Sequence, residues 1–297
     1  MIINRQEQVT SAVTAVMERT TDPRLRQIMV SLVRHLHGFV REVRLTEAEF
    51  QEAIAILNEM GKLTSDTHNE VSLMAGSLGV SSLVCLLNNG DNGATETSQS
   101  LLGPFWRLNS PRVPNGGSIV RSDTPGPALF MRGRVQDTAG SPIAGAEVDV
   151  WHSSPVGLYE NQDPDQADMN LRGKFTTDGE GQFWFRSVKP AGYPIPTHGV
   201  VGRLLRVQNR HPFRPAHVHA LIYKEGFKTL TSQVYADDDV NLETDVQFGV
   251  THALTGHFVR HDEPHVTEPD AGVPWYSLDY KFVMEVGVAR LPRPPIK

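Results

Sequence analysis

The chain has 297 residues, a net charge of −6 from 28 basic and 34 acidic side chains, and one cysteine. That length can bury a large apolar core without crosslinks, and a single cysteine, Cys85 in the apolar run SSLVCLL, reads as a small buried hydrophobe. No basic block suggests a nucleic-acid surface. With neither a basic-then-apolar start nor a run of roughly 20 apolar residues, a chain without a membrane span in a reducing cytoplasm is expected.

From residue 4 to about 90 the apolar residues recur at helical spacing, and Pro23 is the only proline. Thr21-Asp22-Pro23 predicts a helix start, because a capping side chain precedes a proline whose missing N–H is harmless in the first turn. Leu25, Ile28, Met29, Leu32, Val33 and Leu36 then fall on one face. Thr46 and Glu49 form a capping-box pattern ahead of the stripe Phe50, Ala53, Ile54, Leu57 and Met60, and a further helix is predicted over Asp66–Leu87. Such stripes must be buried against a neighbouring domain or a second copy, so residues 1–100 are expected to form a helical dimerisation domain.

Residues 88–126 are rich in Asn, Gly, Ser and Pro and predict loops and a linker, interrupted by the rigid apolar segment LLGPFW. Beyond them come strand-like runs: ALFMRGRVQD, AEVDVWHS, GKFTTD, GQFWFRSV, RLLRVQ, AHVHALIYKE, TSQVYAD and YSLDYKFVMEVG. No helices alternate with them. The expected fold is therefore mainly β, with an antiparallel β-sandwich over residues 101–297 preceded by the helical segment.

The clearest chemical signal is RPAHVH, in which His217 and His219 occupy positions i and i+2 of a predicted strand and project from one face. That spacing fits a metal site, and it fits equally a surface strand with two unrelated histidines. His35 and His37 have the same spacing on a helix, where they diverge by roughly 200°. In His261-Asp262-Glu263-Pro264-His265 the proline breaks any zinc-protease helix, which leaves a solvated loop, and Asp237-Asp238-Asp239 reads as a solvated turn. Tyr223, Tyr235, Tyr276 and Tyr280 lie in strand patterns and read as packing residues. Tyr159 and Tyr193 lie in loops instead, the second fixed between glycine and prolines in KPAGYPIP, which leaves both a structural and a ligand role open.

The ordered segments VDVWHSSPVGLYENQ, GKFTTDGEGQFWFRSVKPAGYPIP, RPAHVHALI and TSQVY resemble the intradiol ring-cleaving dioxygenases over most of residues 100–285, and the helical first third resembles that family's dimerisation segment. The resemblance implies an Fe(3+) centre held by Tyr159, Tyr193, His217 and His219, which opens an aromatic diol with dioxygen between its two hydroxyl-bearing carbons. It also implies that Tyr193 takes up a substrate proton, that Arg214 is the active-site cation, and that Gln233 assists near the substrate. Anionic oxygen donors suit a hard trivalent ion, whereas a two-histidine, one-carboxylate triad would suit ferrous iron. The expected pocket segments are LLGPFW, the helix carrying SLMAGSLGVS and the YPIP loop, with Leu73, Gly76, Leu101, Gly103, Pro104, Phe105, Ile195 and Pro196 touching substrate.

Within the family, ATETSQSLLGPFW and YPIPTHGVVGRLLRVQNRHPFRPAHVH most resemble the hydroxyquinol 1,2-dioxygenases, which cleave benzene-1,2,4-triol to a maleylacetate precursor. His198 and Val200 stand where that group has Asp and Pro, and Gly76 where an acidic pocket side chain is often found. Catechol or a substituted catechol is the rival substrate. A non-catalytic β-sandwich binding module is the rival class, separated from the enzyme by metal content. A homodimer through the N-terminal helices, with an apolar lipid-like ligand between them, accords with the same resemblance.

Overall fold

The computed structural model describes residues 2–65, 68–88 and 96–295, and the chain divides into two compact units, Met1–Glu59 and Met60–Lys297. The first carries α1 (Glu7–Met17), α2 (Pro23–Glu42) and most of α3 (Glu47–Leu63). α2 starts where the sequence places a cap: the Asp22 carboxylate accepts from the backbone N–H groups of Arg24 and Leu25 at 2.8 and 3.1 Å, with Pro23 in the first turn. At α3 the Thr46 hydroxyl accepts from the Glu49 N–H at 3.3 Å while the Glu49 carboxylate accepts from the Thr46 N–H at 2.8 Å. Val33 is buried, whereas Leu25, Ile28, Leu32 and Leu36 of the same stripe are exposed in the single chain.

In the second unit the helix predicted over Asp66–Leu87 is two helices, α4 (Glu70–Ser77) and α5 (Val80–Leu87), with Asp66 itself outside the described residues. Gly79 causes the break. Its φ of 72° lies in the left-handed region, so the chain turns there instead of continuing the α4 ladder. Among the described residues no single helix is long and apolar enough to cross a membrane, and the α4–α5 pair is bent by 74°. Cys85 on α5 is half-buried rather than part of the core.

Residues 96–127 run irregularly, with bridges at Arg112–Lys174 and Ser118–Arg186; residues 89–95 of the predicted linker lie outside the described residues. The strands that follow are β1 (Ala128–Asp137), β2 (Glu147–His152), β3 (Arg172–Thr176), β4 (Gln182–Val188), β5 (Tyr193–Pro194), β6 (Phe213–Arg214), β7 (His217–Tyr223), β8 (Leu230–Ala236), β9 (Thr255–Gly256), β10 (Val259–His261) and β11 (Trp275–Met284). They form a four-stranded sheet in the order β10-β11-β1-β4, a five-stranded sheet β3-β2-β7-β8-β9, and the small ribbon β5-β6. The inner faces of the two larger sheets share one core, in which Leu129, Met131, Phe183 and Phe282 meet Val148, Phe175, Val218 and Val234.

The sheets are mixed rather than antiparallel, because β11 runs parallel to β1 from Leu129↔Tyr276 to Asp137↔Met284, and β9 runs parallel to β8. Alternation of apolar residues fixes which face a strand buries and carries no information about its direction. The run RLLRVQ, predicted as a strand, belongs to α6 (Val200–Val207), where Val200, Val201 and Leu205 are buried. A short apolar run satisfies either period, and here the buried Glu70 carboxylate decides by accepting from the Val201 N–H at 2.8 Å at the helix start.

Candidate active site

β7 alternates between two environments. Val218, Ala220 and Ile222 enter the core between the sheets, so His217, His219 and Leu221 must face the other way, where Leu221 joins Phe105, Trp106, Trp151, Tyr159 and Tyr193 in a second cluster. On that face the two imidazole Nε2 atoms lie 3.2 Å apart and both rings are buried. The His217 Nδ1–H donates to the Pro215 carbonyl at 2.7 Å, which leaves Nε2 as the unprotonated ring nitrogen, facing His219 and Arg214. His219 is held by β2, its register partner Trp151 stacking on the imidazole at 4.6 Å and 8° between planes. Its Nδ1 is buried without a hydrogen-bond partner among the described residues.

Tyr159 and Tyr193 reach the same point from separate segments. Tyr159 follows β2 and is stacked by Phe105 at 4.4 Å, while Tyr193 sits in β5 opposite Arg214 of β6. Their phenol oxygens are 3.4 Å apart, and ring centroids separate Tyr193 from His217 by 5.5 Å and Tyr159 from His219 by 6.4 Å. Two nitrogen and two oxygen donors thus converge in a buried place. Burial holds His217 neutral, its pKa pushed down to about 3, and takes His219 well below the usual histidine range; burial and the neighbouring Tyr193 raise the Tyr159 phenol well above 10.0. Neutral imidazole is the form that ligates a cation, and a buried phenol loses its proton when a cation supplies the missing charge. Among the described residues no group of three or more His, Cys, Asp and Glu side chains could hold a metal.

Arg214 is buried beside this cluster, with Nη1 3.4 Å from His217 Nε2. Its guanidinium donates to both Asp245 oxygens at 3.2 Å, to Gln233 Oε1 at 2.9 Å and to the Tyr235 hydroxyl at 2.7 Å. Burial alone would discharge the pair, but the Asp245 carboxylate outweighs it and holds Arg214 charged, and Arg214 in turn keeps the Asp245 carboxyl below the usual range. Gln233 donates to the Leu101 carbonyl and accepts from the Tyr235 hydroxyl, so it braces the LLGPFW segment instead of lining the cavity.

A cavity of about 770 Å³ opens on this group. Leu73, Leu101, Gly103, Pro104, Phe105, Ile195 and Pro196 line it together with Tyr193 and Arg214, and Cys85 forms part of its wall. Gly103 has a φ of 73°, and a Cβ there would stand 3.1 Å from His219 Cε1. Gly76 does not line the cavity; Gln247 does, its carboxamide occupying the space where a Gly76 side chain would begin. His198 is exposed and packs on His68 at 5.2 Å.

The remaining motifs lie elsewhere. His35 and His37 are on α2; Asp239 accepts from the Ala216 N–H and Asp237 from the Phe258 N–H, so these carboxylates tie the turn after β8 to distant backbone. His261 belongs to β10 and stacks on Trp275 at 3.8 Å, so it is not in a free loop. Tyr235, read from the sequence as a packing residue, is bound to Arg214, and Asp245 and Gln247 carry no local pattern that announces them; only their contacts with Arg214 and the cavity do.

Residues 103–285 match the family described as Dioxygenase, and residues 22–95 match the catechol dioxygenase N terminus. The chain is 40% identical over 283 residues to hydroxyquinol 1,2-dioxygenase of Rhizobium sp. (strain MTP-10005), covering 94% of this chain and 95% of that one. It is 36% identical over 273 residues to catechol 1,2-dioxygenase of Candida albicans, covering 91% and 89%. The crystal structure of hydroxyquinol 1,2-dioxygenase from Pseudomonas putida DLL-E4 is similar with a TM-score of 0.85 at 37% identity, covering 95% of this chain and 99% of that one. With both family segments matched and the fold shared over 95% of the chain, the chain belongs to the intradiol ring-cleavage dioxygenases.

Proposed function

We propose that this enzyme uses iron(III), held by Tyr159, Tyr193, His217 and His219, to cleave hydroxyquinol (benzene-1,2,4-triol) with dioxygen to 3-hydroxy-cis,cis-muconate, the tautomer of maleylacetate. The observation that carries the reading is the convergence of two phenol oxygens 3.4 Å apart and two imidazole nitrogens 3.2 Å apart beside a cavity of about 770 Å³. The donor set fits the ion, since two phenolates offset two of three positive charges and leave a centre that attracts an anionic diol. Bound iron would bind the diol and draw electron density from it, preparing the ring for dioxygen.

The chain's own residues divide the remaining work. Tyr193 lines the cavity whereas Tyr159 does not, so Tyr193 is the ligand whose phenolate can take a proton from an arriving diol. Arg214, fixed by Asp245, places a permanent cation at the cavity wall, where it stabilises negative charge developing on the ring. Leu73, Leu101, Phe105 and Ile195 exclude water, with Gly103 allowing the wall to approach His219. Both atoms of dioxygen end in the diacid product. The triol is favoured over catechol by the two hydroxyquinol relatives, 40% and 37% identical against 36% for the catechol relative, and by the polar Gln247 in the cavity wall. The same reading takes residues 1–100 as a dimerisation domain whose exposed α2 stripe meets a second copy, with room for an apolar ligand between them, and residues 101–297 as a cytoplasmic β-sandwich catalytic domain.

Iron analysis, visible spectroscopy and product mass spectrometry test the proposal. One ferric ion per chain, a visible phenolate-to-iron absorption band and a ring-opened product carrying two atoms from labelled dioxygen are expected, without a yellow extradiol product. A colourless protein with stoichiometric ferric iron refutes tyrosinate ligation. A kcat/KM for catechol equal to or above that for the triol refutes the substrate assignment.

A further inference from the structure

We propose that Gln247 is the specificity-determining residue of the cavity, its carboxamide oxygen accepting a hydrogen bond from a ring hydroxyl outside the cleaved diol. The inference rests on the triol reading above. A Cβ at Gly76 would lie 1.7 Å from Gln247 Oε1 and 2.7 Å from its carbonyl carbon, so no side chain at position 76 coexists with Gln247 as it stands. The glycine is what admits the glutamine.

The carboxamide orientation follows from its partners. Nε2 donates to the Ser77 hydroxyl at 3.0 Å and points to the Leu73 carbonyl at 3.5 Å, while among the described residues Oε1 accepts no hydrogen bond. Both N–H groups are thereby directed at α4, and Oε1, packed over Gly76, is left as an acceptor without a donor among the described residues in a side chain that lines the cavity.

The backbone around it is pinned to the catalytic group. The Gln247 and Gly249 N–H groups donate to the Asp245 carboxylate at 3.2 and 2.9 Å, the Ser82 hydroxyl donates to the Gln247 carbonyl at 3.0 Å, and the same carboxylate holds Arg214. Phe248 follows with a φ of 53°, a conformation that only a well-determined turn imposes on a bulky residue. A polar reader on a rigid turn one residue pair from the Arg214 anchor discriminates by hydrogen bonding, and sites of that kind reject analogues lacking the hydroxyl more strongly than apolar pockets reject additions.

The test uses the iron-loaded full chain and its Gln247→Leu and Gln247→Glu variants, with kcat/KM measured for benzene-1,2,4-triol, catechol and 4-methylcatechol, and the Kd of triol and catechol measured by anaerobic calorimetric titration. Gln247→Leu is expected to lower the triol-to-catechol ratio about tenfold in both kcat/KM and Kd, the loss of about one hydrogen bond. Gln247→Glu keeps an acceptor in place and is expected to retain most of the ratio. If the wild type prefers the triol and Gln247→Leu leaves the ratio within twofold, the inference fails and the substrate assignment stands. An equal loss in both variants overturns it as well, since shape and not hydrogen bonding would then set the preference. If the wild type shows no triol preference, both fall.

Discussion

Arg214→Ala removes one member of a buried ion pair, and the structure sets how much that perturbs. Asp245 has its side chain almost entirely buried and accepts from Arg214 with both oxygens. Without the guanidinium a carboxylate is stranded at low dielectric, a loss on the order of 3–5 kcal/mol when one partner of a buried pair is deleted. The Tyr235 hydroxyl and Gln233 Oε1 lose their donor at the same time. For a unit as large as Met60–Lys297, 1 kcal/mol moves Tm by about 2 °C, so scanning calorimetry should show a fall of roughly 6–10 °C. Arg214→Ala/Asp245→Ala should recover at least half of that loss, because both charges are then gone. Catalysis should not recover with stability: loss of a positioned cation typically lowers turnover about 100-fold or more, and the double variant should stay at that level. A single variant with a Tm within 2 °C of wild type, or a double variant less stable than the single, would refute the reasoning. Regained turnover in the double variant would show that Arg214 acts on Asp245 and not on substrate.

Asp149 provides a pH test. Burial, only partly offset by nearby donors and cations, raises its pKa from 3.8 to about 6, worth on the order of 3 kcal/mol. A carboxyl raised in the folded state contributes stability that is full below pH 4 and lost as pH rises through about 6, so wild type should gain in Tm relative to Asp149→Asn between pH 7.5 and pH 5; parallel curves would sink the assignment. Gly103→Ala combines a strained φ of 73° with a Cβ 3.1 Å from His219 Cε1, and should lower Tm by about 2–4 °C together with iron content per chain. Unchanged iron binding would separate the loop from the histidine.

How much of this was legible in the sequence depends on the range of the interaction concerned. The start of α2 is written locally, because Asp22 caps N–H groups two and three residues away. The facing of His217 and His219 is equally local, since β7 needs only its alternation to send Val218 to the core and the imidazoles to the other side. Strand direction is not local: β11 returns parallel to β1 by a route that no residue of either strand records. Nor is the choice of helix over strand in RLLRVQ, which is settled by Glu70 on another helix. The convergence of Tyr159 and Tyr193 on the histidines is likewise a product of the fold, and the sequence offered it only through resemblance.

Gly76 shows the limit most directly. In the sequence it registers as a deletion, a place where an expected polar side chain is missing, and from that alone a pocket ruled by shape and ring electronics follows. The fold reverses the inference. The space vacated at position 76 is filled by the carboxamide of Gln247, a residue with no motif around it, delivered by a turn that the Asp245–Arg214 pair holds in place. A missing side chain is visible in one dimension, whereas its replacement, coming from a distant segment, becomes visible only when contacts are known. Specificity in such a cavity is therefore a property of position pairs: a side chain introduced at position 76 while Gln247 remains should behave as a steric defect, whereas Gln247→Leu, which leaves Gly76 in place, removes only the polar contact.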